Sequence, residues 1–215
     1  MPLGLSNKAK NLAPSATLAI TMKAKELQEA GESIISYAAG EPDFDTPVAI
    51  RDAMKDALDR GMTRYAPVPG TPELRKAIVE KLKRENGLAY NVNQIIVSNG
   101  AKHALYNAFF ALLNDGDEVI IPTPCWVSYP EMVRMNGGVP VFVPACEKDG
   151  FIPAPAAIAA AVTPKTKAFM LTSPSNPNGC VWPRAALEAL AALAVEHDFY
   201  VISDEIYERL VYGAR

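Results

Sequence analysis

The 215 residues contain only three cysteines and two histidines, and each scarcity removes a class of protein. Cys125, Cys146 and Cys180 are odd in number and lack the close spacing of a metal site, so neither a disulfide framework nor a metal centre is expected. Free thiols fit a reducing cytoplasm. No apolar run approaches the roughly 20 residues that span a bilayer, and Met1–Lys10 lacks the apolar core of a signal peptide, so no membrane association and a cytoplasmic location are expected. Net charge is −3 and the basic residues are scattered among acids, which leaves no electrostatic footprint for nucleic acid. Internal repeats, low-complexity tracts and heptads are missing, as is a G-x-S-x-G elbow that would let Ser98, Ser128 or Ser173 join a histidine in hydrolase chemistry. His103 and His197 read as structural. What is present, 49% hydrophobic and 21% charged residues, describes a globular chain able to bury a core.

Periodicity divides the chain into elements. Residues 12–30 alternate apolar and charged residues at helical spacing and stop at Gly31, and Ser33–Tyr37 reads as a short strand. Val48–Arg60 reads as a helix, and Thr71 followed by Pro72 opens another through Arg84. From there strands and helices alternate. Gln94–Ser98 is an expected strand, Gly100–Leu113 a helix, Asp117–Ile121 a strand, Val127–Asn136 a helix and Val139–Val143 a strand. Lys167–Thr172 reads as a buried strand, Pro183 as the first residue of a helix through His197, and Phe199–Ser203 as the last strand. This alternation predicts an α/β fold, a three-layer, mainly parallel sheet with helices on both faces.

Ligands of such sheets bind outside the carboxyl ends of the strands, so the loops there carry the chemistry. Asn99-Gly100-Ala101-Lys102 joins a strand to a helix N-terminus, whose free amides and positive dipole end suit an anion such as phosphate. A tight turn needs a glycine there in any case. Trp126 follows the next strand end and reads either as a core residue or as a flat surface for a planar ring. Ser173–Gly179, with two prolines and one glycine, delivers Asn176 on a stiff turn, and Ser203–Tyr207 delivers Asp204. A carboxylate at a buried strand end needs hydrogen bonds or a cation, and a protonated ring nitrogen is such a cation. One ligand with phosphate, flat ring, ring oxygen and ring nitrogen satisfies all four loops: pyridoxal 5′-phosphate. Tyr207, three residues past Asp204, would share its helical face if a helix follows, and could donate to the ring oxygen.

These loops resemble those of the fold-type I, class I aminotransferases, most of all the aspartate-type branch, and the resemblance runs through essentially the whole chain. Ala39-Gly40-Glu41-Pro42-Asp43-Phe44, Ser173–Gly179 and Ser203–Tyr207 carry it. The resemblance implies that Gly100, Ala101 and Lys102 hold the cofactor phosphate, Trp126 stacks on the ring, Asn176 and Tyr207 bind the ring oxygen, and Asp204 binds the ring nitrogen. It implies substrate contacts from Gly40, Trp126, Asn176 and Lys102, the last pointing to an acidic substrate. Tyr65 resembles the tyrosine that crosses a homodimer interface to a neighbouring cofactor phosphate. Residues 1–46 would be an N-terminal arm with part of a small domain, and 47–215 an incomplete large cofactor domain.

One member of the pattern lies elsewhere. The family's Schiff-base lysine is expected beyond Arg215, so no catalytic residue is assigned within the chain, which reads as the N-terminal portion of a longer enzyme and as inactive alone. Lys148, Lys165 and Lys167 sit in no matching motif. The expected reaction is transamination between an amino acid, aspartate or another acidic one, and a 2-oxo acid. Two other readings stand beside it: an aminotransferase-like effector-binding module without catalysis, and a lyase or synthase with the same cofactor and fold. The first would normally carry a DNA-binding segment, and residues 1–46 show no basic helix-turn-helix pattern.

Overall fold

The computed structural model describes residues 4–10, 12–13, 16–36, 40 and 44–212. In chain order the helices and strands are α1 (Asn7–Lys10), α2 (Ala16–Glu29), α3 (Val48–Asp59), α4 (Pro72–Asn86), α5 (Gly100–Leu112), β1 (Glu118–Thr123), α6 (Ser128–Met135), β2 (Val139–Pro144), α7 (Pro155–Ala161), β3 (Thr166–Thr172), α8 (Arg184–His197) and β4 (Tyr200–Asp204). Two compact units result: Ala16–Asn99, and Gly100–Arg215 together with Met1–Ser15.

The unit from Gly100 onward is built on a parallel sheet ordered β2-β1-β3-β4. From β1 the chain steps to β2 on one side, then returns past β1 to β3 and continues to β4. Because parallel crossovers are right-handed, a reversal of direction puts the connecting helices on opposite faces. The core shows this division. Val119 and Ile121 of β1 and Ala168 and Met170 of β3 pack with Leu105 and Phe109 of α5 and with Tyr129, Met132 and Val133 of α6. Their strand neighbours Ile120, Phe169 and Leu171 face the other way, against Ile158 of α7 and Leu190 of α8. A strand buried on both faces must be apolar at consecutive positions, which is why Ala168-Phe169-Met170-Leu171 reads as a continuous run. The three-layer α/β architecture expected from the sequence is the one observed.

In the unit Ala16–Asn99, α4 is the most completely specified element. The Thr71 hydroxyl accepts from the Leu74 amide at 3.4 Å, Pro72 opens the helix, and Gly87 closes it in the left-handed region at φ 69°. The Arg75 guanidinium, projecting from α4, donates to the carbonyls of Ile95 and Val92.

Several sequence expectations need correction. Gln94–Ser98 is not a strand: Val92–Gln94 forms a 3-10 turn, and although Ile95 is extended, no described strand pairs with the segment. The Val97 amide goes to the Pro69 carbonyl at 3.0 Å instead. Extended, apolar sequence sets a backbone conformation, but a ladder needs a partner. Ser33–Ser36 likewise lies outside any ladder, and Tyr37 falls outside the described residues. Pro183 precedes its helix as an extended cap residue (φ −70°, ψ 154°), so the ring stiffens the entry to α8 without belonging to it. Among the described residues no helix follows β4: residues 206–209 form turns. Helix α7 was not foreseen, because Pro155 at its first turn heads a run of little but alanine, with only Ile158 buried. Among the described residues no helix is long and apolar enough to cross a membrane.

Candidate cofactor site

The carboxyl ends of β1, β3 and β4 lie side by side, and the sheet's change of direction falls between β1 and β3, where α/β sheets open a crevice. Register decides what stands there. Thr172 and Asp204 are partners across the β3–β4 ladder, so both side chains point to one face, the face covered by α6. Tyr129, one residue into α6, reaches both. Its hydroxyl donates to Asp204 Oδ2 at 2.7 Å and accepts from Thr172 Oγ1 at 2.8 Å. The Ile206 amide donates to Asp204 Oδ1 at 3.1 Å. Asp204 is only 8% exposed. Both donors are neutral, so they hold the carboxylate without cancelling its charge, and a buried negative charge in this position favours a cation alongside. Burial, helped by the neighbouring Asp204 charge and opposed by the Thr172 hydrogen bond, pushes the Tyr129 phenol far above its ordinary range.

An open cleft of about 260 Å³ lies against this carboxylate, lined by Ala101, Ala104 and Leu105 of α5 and by Ser203, Asp204, Glu205 and Ile206. The N-terminal turn of α5 and the carboxylate thus share one space. Gly100 takes φ +80°, which only glycine adopts freely, and nothing lies within 4 Å of where a side chain would begin. The glycine is therefore required first by the turn. Lys102 turns its ammonium over the Trp126 ring, 4.8 Å from the centroid, and the other edge of the relation is Tyr129, whose ring meets the indole edge-to-face at 5.3 Å. An unbroken series of contacts therefore runs from Lys102 through Trp126 and Tyr129 to Asp204.

The loop after β3 closes on itself. Ser175 and Cys180 pair through the Ser175 amide, the Gly179 amide returns to the Ser175 carbonyl, Asn178 Oδ1 accepts from the Cys180 amide, and Ser173 Oγ accepts from the Trp182 amide at 3.0 Å. The Ser173–Pro174 and Asn176–Pro177 peptides are cis. Asn176 is half-buried, and its amide donates to the Tyr207 hydroxyl at 3.4 Å. Tyr207 reaches Asn176 from a turn, without the helix expected after Asp204.

Of the residues singled out in the sequence, Gly100, Ala101, Lys102, Trp126, Asn176, Asp204 and Tyr207 fall in this one unit at the strand ends. Gly40 and Tyr65 belong to the other unit; both are exposed, and residues 37–39 and 41–43 of the Gly40 loop lie outside the described residues. Sequence reasoning missed Tyr129 and Thr172. The only signal was a tyrosine three positions after Trp126 at a helix start, and its meaning depends on a strand register that the sequence does not display.

Residues 32–215 match the family model for aminotransferase class I and II. The chain belongs to this family. It is 53% identical over 209 residues to the aspartate/prephenate aminotransferase of Thermus thermophilus, covering 97% of this chain and 54% of that protein. Against the aspartate aminotransferase of Bacillus subtilis identity is 49% over 211 residues, 98% of this chain and 54% of the relative. The structure of the Thermus thermophilus aspartate aminotransferase with maleate superposes with a TM-score of 0.96 at 52% identity, over 99% of this chain and 56% of that one. The chain thus spans a little over half the length of these relatives. Members of the family use pyridoxal phosphate. The residues described here fit that group: the buried Asp204 held only by neutral donors suits a cationic ring nitrogen, and the same cleft exposes a helix N-terminus suited to a phosphate.

Proposed function

We propose that this chain supplies the cofactor-binding wall of a pyridoxal-phosphate-dependent aminotransferase that moves an amino group between an amino acid, aspartate or another acidic one, and a 2-oxo acid. The observation that carries the reading is Asp204, an almost buried carboxylate facing a cleft shared with the first turn of α5. When bound, the cofactor would supply an electron sink for charge developing at the substrate α-carbon. The chain's own residues bind and orient it. The amides opening α5 at Gly100, Ala101 and Lys102 would hold the phosphate, with the helix dipole adding to the attraction. Trp126 would lie against the ring, while Asn176 and Tyr207, already hydrogen-bonded to each other, would grip the ring oxygen. Asp204 would keep a proton on the ring nitrogen, because its buried charge favours a cation there.

Substrate contacts are assigned to Gly40, Trp126, Asn176 and Lys102, with Lys102 favouring an acidic side chain. Tyr65 is assigned to the cofactor phosphate of the second subunit of a homodimer. By role, not by compactness, residues 1–46 would serve as an arm with part of the small domain, and 47–215 as part of the cofactor domain. A cytoplasmic location goes with this reading. The lysine that would shuttle the proton is assigned beyond Arg215, so the 215-residue chain alone should show no turnover. The test is to load a protein spanning the full length of the relatives with pyridoxal phosphate and supply a panel of amino donors with 2-oxoglutarate. Glutamate formation, fastest with aspartate, is expected. A cofactor-loaded protein that forms no glutamate from any donor would overturn the proposal.

A further inference from the structure

Tyr129 has no role in holding the cofactor as proposed, yet its hydrogen bond to Asp204, at 2.7 Å, is shorter than that of the Ile206 amide, and it is 2% exposed. The direction of the hydrogen bonds is informative. Asp204 Oδ2 can only accept, so the phenol proton goes to it, and Thr172 Oγ1 donates to the phenol oxygen. A hydroxyl that accepts from one side and donates to the other acts as a directional link. With the Ile206 amide on Oδ1, each carboxylate oxygen is pinned by one donor, and the carboxyl plane is fixed. Each oxygen still has a lone pair to offer.

We propose that Tyr129 is the positioning residue for Asp204: a neutral phenol, itself aligned by Thr172, that fixes the carboxylate as an acceptor oriented toward a cationic ring nitrogen in the cleft. The proposal rests on the pyridoxal phosphate reading for the identity of the ligand, but the positioning itself is a property of the ligand-free chain. A phenol suits this role better than a group that titrates near neutrality. Its burial and the adjacent carboxylate oppose ionisation, so it stays a donor wherever the fold persists. Its aromatic contact with Trp126, 5.3 Å between centroids, ties the carboxylate's orientation to the indole that would lie against the same ring.

The test uses Tyr129→Phe, which removes one oxygen and keeps the ring, with Thr172→Val as a second variant that removes only the outer link. In the ligand-free chain, the side-chain carbonyl carbon of Asp204 is followed by ¹³C NMR and assigned by its loss in Asp204→Ala. Tyr129→Phe should move this resonance and Thr172→Val should move it less; an unmoved resonance in Tyr129→Phe overturns the proposal. Pyridoxamine 5′-phosphate, which needs no lysine, is then titrated against inorganic phosphate. Tyr129→Phe is expected to weaken pyridoxamine phosphate about tenfold, the loss of one charge-assisted hydrogen bond's orientation, and to leave phosphate binding unchanged. Equal weakening of both ligands would indicate a general packing defect and would overturn the positioning role. If the unmodified chain binds phosphate but not pyridoxamine phosphate, the cofactor reading fails, while the carbon resonance still decides the role of Tyr129.

Discussion

Replacing Asp204 with asparagine should separate what the site does for a ligand from what it does for the fold. In the ligand-free protein the carboxylate accepts two hydrogen bonds, from Tyr129 at 2.7 Å and from the Ile206 amide at 3.1 Å. Asparagine has nearly the same shape but only one acceptor atom. If its oxygen keeps the phenol, its NH₂ group opposes the Ile206 amide, and one hydrogen bond to a charged acceptor, worth about 1.5–3 kcal/mol, is lost. Set against this, a charge with 8% exposure no longer has to be desolvated, a relief on the order of a few kcal/mol offset by the weaker remaining hydrogen bond. The terms nearly cancel. Stability should therefore change by no more than about 1 kcal/mol, and an increase is as consistent with the geometry as a decrease.

Ligand affinity has no such compensation. A hydrogen bond to a charged partner is worth about 1.5–3 kcal/mol, so a ligand with a protonated ring nitrogen should bind roughly 10- to 150-fold more weakly to Asp204→Asn. Urea unfolding of the ligand-free protein gives the first quantity. Quenching of Trp126 fluorescence on titration with pyridoxamine 5′-phosphate, measured in a Trp182→Phe background, gives the second. The reasoning is refuted if the substitution costs more than about 3 kcal/mol of stability while affinity is unchanged. That outcome would make Asp204 a structural carboxylate that happens to face a cleft.

Other consequences follow from the same geometry. Because Tyr129 has a folded-state pKa above its ordinary value of 10.0, the folded protein keeps a proton that the unfolded chain releases. Its contribution is full below about pH 10 and is lost as pH rises further, so stability should fall by up to about 1.4 kcal/mol per pH unit above pH 10, with a smaller slope in Tyr129→Phe. Gly138→Ala places a methyl 2.9 Å from both Leu113 and Val133 side-chain carbons and 3.2 Å from the Asp117 carbonyl; a loss of about 1–3 kcal/mol in urea unfolding is expected. The thiol of Cys146 donates to Asp149 Oδ2 at 2.9 Å, and that hydrogen bond raises its pKa, so Asp149→Asn should speed its reaction with Ellman's reagent at pH 7 by increasing the thiolate fraction. Half-buried Cys125 and Cys180, raised by desolvation, should react more slowly than Cys146 in either protein.

The sheet from β1 onward was legible because its strands are buried on both sides: Val119–Ile121 and Ala168–Leu171 have apolar residues at every position, and Gly or Pro marks the loops between elements. Gln94–Ser98 has the same composition and failed. Ile95 is buried and Ile96 is 73% exposed, so the apolar run is real but unpaired among the described residues. Composition reports a preference for extended backbone; pairing is a property of the neighbours, which composition does not contain. The turn after Asp204 failed for a related reason. Asp204 and Tyr207 stand three apart, as on one helical face, but the Ile206 amide bonded to the Asp204 side chain serves a turn as well as a helix start, so the spacing does not decide between them.

The loop residues of the site could be read because each sits next to a break that the sequence displays: Gly100 at a strand-to-helix turn, Trp126 after a proline pair, Asn176 between two prolines, Asp204 at the end of an apolar run. Tyr129 has no such marker, and the reason is geometric. Its function depends on Thr172 and Asp204 lying opposite each other across the ladder and on α6 covering that face. The first is a register and the second follows from the chain's reversal after β2, so neither is encoded near residue 129. A shift of β4 by one residue would point Asp204 to the opposite face, toward α7 and α8, where no phenol waits. The side chain that orients the carboxylate is thus also the one that distinguishes this register from its neighbours, and the cost of a slip falls on both the buried charge and the site.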